Sequence, residues 1–363
     1  MSHKKLFIPG PTEVLPDILE AMSMPMIGHR SKDYSNLQGE TTKRVQKCLY
    51  TKNQIIVSTS SSTGLMEAAV LNFCRKGKKI LALECGAFSD RWATIARANG
   101  KEVIDLKVDW GMGIHPEMVD EVLAKRADEI DLVMLVMNET STGLMNPAKE
   151  IQAVVNKYRD AGVLMAIDAV SAMMAVPIKT DEWGIDYVLA GVQKAWSLPP
   201  GLAIAAISER AIERAKEVEN RGYYFDLLEY IKKNEKDQTP STPAISLVNA
   251  LNVMCKRILD EEGLDNRWAR HERQAKMVRD WALSHGFEMF PEEGFYSVSL
   301  SCIKNTKGIS VADLNKELGK RGKMISNGYG KLKESAFRIA HMGDIYEKDI
   351  AELLADIDDI LGF

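Results

Sequence analysis

Short apolar runs alternate with stretches whose apolar positions recur every three or four residues through the first two thirds of the chain. Gln54 to Ser58, Lys79 to Leu83, Glu102 to Lys107, Asp131 to Met137, Val163 to Asp168, Asp186 to Ala190 and Leu202 to Ile207 read as strands. Between several of them, Thr63 to Arg75, Phe88 to Ala98, Pro116 to Lys125 and Pro147 to Tyr158 read as helices. Repeated switching between the strand and helix periods predicts an α/β fold with a mainly parallel seven-stranded sheet. The pattern changes at about Pro243, where one helical period runs into the 280s with Gly263 as a candidate break. A smaller α+β region follows: a strand at Phe295 to Ile303, a helix from Val311 to Arg321, a strand around Phe337 to Ala340 and a terminal helix from Asp344 to Leu361. Asp344, directly after Gly343, is the candidate N-cap of that last helix.

At 363 residues the chain exceeds the size at which one core keeps growing, so two domains are expected. A net charge of −4 offers no basic stripe, which argues against nucleic acid as a partner. No apolar run approaches the length that spans a bilayer, and the first residues carry two lysines without the apolar stretch of a signal peptide. Cys48, Cys74, Cys85, Cys255 and Cys302 are scattered, odd in number and without CxxC spacing. They argue against a disulfide framework and against zinc, and favour a reducing cytoplasm. The six histidines show no HxxxH or comparable pattern, so no metal site is expected.

Two strand-like runs end in charge. Asp168 closes Leu164-Met165-Ala166-Ile167-Asp168, and Lys194 lies just past Asp186-Tyr187-Val188-Leu189-Ala190. In open α/β sheets ligands bind outside the carboxyl ends of the strands. A carboxylate and an amine delivered there suit pyridoxal phosphate: the amine condenses with the aldehyde, and the carboxylate keeps the ring nitrogen protonated. A third element supports this. Val57 to Thr63 passes from a strand to a helix through Ser58, Ser60, Ser61, Ser62 and Thr63. A helix start presents free N–H groups and partial positive charge to a phosphate, and hydroxyls can add donors.

The ordered set Pro9-Gly10-Pro11-Thr12, Gly28-His29-Arg30-Ser31-Lys32, the serine-rich turn, Asn138-Glu139-Thr140-Ser141-Thr142-Gly143, Asp168-Ala169-Val170-Ser171, Gln193-Lys194, Gln238 to Pro243, Gly328-Tyr329-Gly330 and Phe337 to Gly343 resembles class V, fold-type I, pyridoxal-phosphate aminotransferases. The similarity covers nearly the whole chain and is greatest to the serine–pyruvate/alanine–glyoxylate branch. It implies an N-terminal segment (1–18) packing on the small domain, a large cofactor-binding domain (19–260) and a small C-terminal domain (261–363). It implies that Lys194 carries the cofactor and shuttles the α-proton, and that Asp168 holds the ring nitrogen. Ser61, Ser62, Thr63 and Gln193 would lie at the phosphate, Phe88 on the ring face and Thr140 at the 3′-oxygen. Arg338 would bind the substrate carboxylate through a bidentate fork, with Gly10, His29 and Arg30 also at the substrate. Gln238, Thr239 and Ser241 would reach a neighbouring subunit's phosphate, which makes a homodimer with shared sites. The expected reaction moves an amino group from serine or alanine to glyoxylate or pyruvate. Phosphoserine–2-oxoglutarate transamination is the alternative, kept open by His29-Arg30.

Overall fold

A computed structural model describes residues 3–363. Its strands, in chain order, are β1 Lys5–Phe7, β2 Gln54–Ser58, β3 Lys79–Glu84, β4 Glu102–Lys107, β5 Ile130–Val136, β6 Asn138–Glu139, β7 Leu144–Met145, β8 Leu164–Asp168, β9 Tyr187–Gly191, β10 Ala203–Ile207, β11 Glu288–Met289, β12 Leu300–Lys304, β13 Lys323–Asn327 and β14 Ala336–Ala340. Seven of them form one sheet in the order β2-β10-β9-β8-β5-β3-β4, parallel except for β10.

That sheet is buried on both faces, so its inner strands read as unbroken apolar runs. Alternate residues go to opposite sides. Ile56, Leu132, Ala166 and Leu189 pack with Leu65 and Phe73 of the helix Ser62–Phe73 and with Trp92 of the helix Ala87–Ala98. Val57, Val133, Ile167 and Val188 pack on the other face with Ile151, Val155, Val248 and Leu251. A second sheet, in the order β1-β13-β14-β12-β11, has its own core of Phe7, Ile303, Ile325, Phe337 and Ile339. The helices Leu264–Ser284 and Glu347–Leu361 close over it. Among the described residues no helix is long and apolar enough to cross a membrane.

Two expectations for the second region are corrected. The strand expected at Phe295 to Ile303 begins only at Leu300. Before it, the Ser297 hydroxyl accepts the N–H groups of Ser299 (3.1 Å) and Leu300 (3.3 Å), a local bond that turns the backbone out of the ladder. Asp344 is not a cap. Its carboxylate is buried 3.2 Å from Arg267, and the terminal helix starts after Tyr346, whose N–H is accepted by Asp349 (2.9 Å). Gly263 does separate two helices. It sits at φ +80°, a conformation that a residue with a Cβ rarely adopts.

Candidate active site

Strands β2, β3, β5, β8 and β9 run in the same direction, so their carboxyl ends share one edge of the sheet. Asp168 is the last residue of β8, in register with Val136 of β5 and Leu189 of β9. Its side chain is buried, and Oδ1 accepts the N–H of Val170 at 2.8 Å. Among the described residues no cation is hydrogen-bonded to it. Burial pushes its pKa up to about 7, aided by the charge of Glu139 and opposed by the Val170 N–H, Lys194 and Arg91.

Lys194 follows β9 by three residues, and its Nζ donates to the carbonyl of Pro9. Burial lowers its pKa to about 8; Arg338 adds to the effect and Asp168 opposes it. The segment Pro9 to Thr12 crosses directly over this amine. Gly10 has φ +107°, and a Cβ there would lie 2.7 Å from Nζ. The backbone angle calls for glycine here, and any Cβ would also push the Lys194 side chain aside. Thr12 ties the segment down, its N–H reaching the Gln193 carbonyl (3.2 Å) and its hydroxyl the Lys194 carbonyl (2.9 Å).

The serine-rich turn opens the helix Ser62–Phe73. Ser61 is its extended N-cap, but the Ser61 side chain does not cap it; Gly64 N–H reaches the Ser61 carbonyl (3.0 Å), and the N–H groups of Ser62 and Thr63 stay open. Ser61, Ser62, Thr63, Phe88, Thr140, Asp168, Gln193 and Lys194 line one cavity of about 160 Å³, together with Met66, Arg91, Val136, Asn138 and Val170. The Thr140 hydroxyl meets Ser171 Oγ at 2.6 Å. Arg338, in the middle of β14, is buried. Its Nε donates to the Asn327 carbonyl (3.1 Å) and its Nη1 to the Thr140 carbonyl (3.1 Å), while the Tyr329 ring centre lies 5.5 Å from its guanidinium carbon.

Other expected site residues stand apart within one chain. Arg30 donates to the carbonyls of Thr239 (2.7 Å) and Pro240 (3.2 Å) and to Gln238 Oε1 (3.3 Å). The Thr239 hydroxyl donates to the Ser241 carbonyl at 2.7 Å. None of His29, Arg30, Gln238, Thr239 and Ser241 lines the cavity, nor do Gly10 and Arg338, although Gly10 packs on Lys194 and the charge of Arg338 acts on it. Sequence reasoning, in turn, assigned no role to Arg91 and Asn138, which do line it. Both amide atoms of Asn138 are buried without a partner. The signal was present: Asn138 is the first polar residue after an apolar run, the same feature that singled out Asp168. Among the described residues no cluster of three or more side chains is arranged to hold a metal ion.

This sheet, with buried ionisable groups at the carboxyl ends of its strands, is the fold of the fold-type I transferases. The family model for aminotransferase class V matches residues 10–333, and the chain belongs to that family. An uncharacterized aminotransferase of Methanocaldococcus jannaschii is 42% identical over 98% of this chain and 92% of its own length. The L-aspartate–glyoxylate aminotransferase of Paracoccus denitrificans is 32% identical over 95% of this chain and 87% of its own. The serine–glyoxylate aminotransferase of Methylorubrum extorquens is 32% identical over 96% and 89%. Among solved structures, the alanine–glyoxylate aminotransferase of Nostoc sp. superimposes with a TM-score of 0.91 at 25% identity, covering 99% of this chain and 96% of that one.

Proposed function

We propose that this aminotransferase moves an amino group from serine or alanine to glyoxylate or pyruvate in two half-reactions, with pyridoxal 5′-phosphate as its resident cofactor. The observation that carries the reading is the meeting, in one cavity, of buried Asp168 and half-buried Lys194, both without ionic partners, and an open helix start. These residues fit the cofactor. Asp168 has an unmet need for a cation, which a protonated ring nitrogen would supply. The N–H groups and hydroxyls of Ser61 to Thr63, with Gln193, suit a phosphate. Phe88 offers a ring face, Thr140 a hydroxyl, and Asn138 a free buried amide.

When bound, the cofactor supplies an aldehyde and an electron-withdrawing ring. The chain does the rest. Lys194, lowered to about 8, is unprotonated often enough near neutrality to act as a nucleophile, and Nζ can later accept and return a proton. Asp168 holds charge against the ring. Arg338 orients the substrate carboxylate; its Nε and Nη1 donate to the carbonyls of Asn327 and Thr140, which fix the guanidinium in place. The crossing of Pro9 to Thr12 covers the amine on one side.

The names of the serine–glyoxylate and alanine–glyoxylate relatives support the substrate pair. The cluster of Arg30 with Gln238, Thr239 and Ser241, away from its own chain's cavity, supports a homodimer in which these residues serve the neighbour's phosphate and His29 and Arg30 the substrate. Five unpaired, buried cysteines support a reducing cytoplasm. The proposed parts are an N-terminal segment, 1–18, packing on the small domain, a large cofactor-binding domain, 19–260, with the seven-stranded sheet, and a small C-terminal domain, 261–363. A second reading, an acidic donor, is favoured by Arg91, which lines the cavity without a carboxylate partner, and by the aspartate-using relative.

The test is a panel of serine, alanine, aspartate and phosphoserine against glyoxylate, pyruvate and 2-oxoglutarate, following the absorbance of the two cofactor forms. Serine or alanine should convert the cofactor fastest and glyoxylate or pyruvate restore it. Conversion by phosphoserine alone would overturn the reading.

A further inference from the structure

Glu139 is fully buried, yet among the described residues no cation pairs with it. Its carboxylate accepts hydrogen bonds from five neutral donors. Oε2 takes the N–H groups of Phe88 (3.1 Å) and Ser89 (3.1 Å) and the Ser89 hydroxyl (3.3 Å). Oε1 takes the Ser141 N–H (3.1 Å) and the Ser141 hydroxyl (2.6 Å), with a longer 3.3 Å contact to the Phe88 N–H. A buried charge held this way is costly, so its retention calls for a role.

The helix Ala87–Ala98 supplies the setting. Its N-cap is Gly86, which has no side chain to satisfy the first-turn N–H groups. A Cβ at Gly86 would collide with the Glu139 side chain. Glu139, coming from a different segment, therefore occupies the place an N-cap side chain would fill, and its charge meets the positive end of the helix. The first turn it grips carries Phe88, and Arg91 lies one turn on; both line the cavity. On its other side the next residue, Thr140, offers its carbonyl to Arg338. The charge of Glu139 acts on Asp168 and on Arg338 alike.

We propose that Glu139 is a positioning residue: it seats Phe88 against the face of the cofactor ring and forms a second buried anion behind Asp168. This rests on the reading above, in which Lys194, Asp168 and Phe88 hold pyridoxal phosphate.

Glu139→Gln keeps the shape of the side chain but turns one acceptor into a donor that faces other donors. Wild-type and E139Q apoprotein would be reconstituted with pyridoxal phosphate. Three quantities are measured: the dissociation constant from tryptophan fluorescence, the pH midpoint of the visible absorbance, and the melting temperature of the apoprotein. The dissociation constant should rise about tenfold, on the scale of a lost cap and charged hydrogen bonds. The midpoint should move to lower pH, because a nearby negative charge favours the protonated form. A lower melting temperature with wild-type dissociation constant and midpoint would reduce Glu139 to a structural cap and overturn the inference. Should E139Q not fold, Ser141→Ala removes the 2.6 Å donor and leaves the charge. It should weaken cofactor binding in the same direction, and wild-type affinity would overturn the proposal. An E139Q effect on affinity that is undiminished in a Phe88→Leu background would contradict action through Phe88. Failure of the wild-type protein to bind pyridoxal phosphate at all would sink the underlying reading instead.

Discussion

Both ends of the seven-stranded sheet carry a polar cavity. Where β3 and β4 begin, a space of about 490 Å³ is lined by Arg75, Lys76, Lys78, Lys101, Glu102 and Glu217 among others. Where the parallel strands end, the space is about 160 Å³. At the larger one, the lining Arg75 is matched by carboxylates, Asp131 outside the lining and Glu217 within it. Buried Asp131 accepts from the Arg75 backbone N–H (2.9 Å), Nε (2.9 Å) and Nη2 (2.7 Å), and Arg214 Nη1 lies 3.1 Å away. Arg75 also reaches Glu217 at 2.8 Å. At the smaller one, Asp168 has a single backbone N–H and Lys194 a single carbonyl. Size does not mark the site. Buried charge that the protein itself leaves unmatched does, because such groups are kept at a cost and have shifted proton affinities.

The contrast is sharpest in activity. Lys194→Ala should lower turnover by at least about 10²–10⁴-fold, the range for losing a positioned proton-transfer group, and abolish the visible absorbance of the cofactor. The mirror-image change at the other end should do the opposite. Asp131→Ala leaves Arg214 buried without its partner and should cost about 3–5 kcal/mol in denaturant unfolding. Its cofactor dissociation constant should match wild type; a weakened constant would mean that the two ends are coupled. Arg338→Ala tests the site's outer wall. It should raise KM for amino donor and oxo acceptor together, by an amount equivalent to about 2–5 kcal/mol, with cofactor absorbance retained.

A further effect is on the pH dependence of the apoprotein. The folded-state pKa of Asp168, about 7, lies above its ordinary 3.8. Between those values the folded chain holds a proton that the unfolded chain has released. Stability from this group is therefore present at low pH and lost as pH rises from about 4 to 7. Asp168→Asn should remove that component, so the melting-temperature difference between variant and wild type should widen in the variant's favour across this window. A constant difference would contradict the unmatched burial.

The matched and unmatched ends were unequally legible in the sequence. The large sheet was readable because its inner strands are buried on both faces and form long apolar runs, as in β5 from Leu132 onward and in Ala203–Ile207. The residues ending those runs in charge were visible for the same reason. The helix Lys32–Cys48 was not read, because its buried face includes Gln38, Gly39 and Thr41 and breaks the apolar period. Its one local signal was Ser31, whose hydroxyl caps the N–H of Tyr34 at 3.2 Å. Strands β1 and β13 were missed because they are short and lysine-bearing; β1 is held by pairing with β13 across the length of the chain, and β13 by β1 and β14. Asp344 misled because an aspartate after a glycine resembles a cap, whereas its long-range partner Arg267 decides its place. The role of Glu139 as a cap for a helix fifty residues upstream has no local signature at all.

The central claim is that Lys194 is the amine that holds pyridoxal phosphate, and it can be tested covalently. The reconstituted protein is treated with borohydride to fix the cofactor to its lysine, digested, and the labelled peptide identified by mass spectrometry. The expected label falls on Lys194 alone, in the peptide that includes Gln193. A label on another lysine with Lys194 unmodified, or no label on protein that transaminates, would contradict the account.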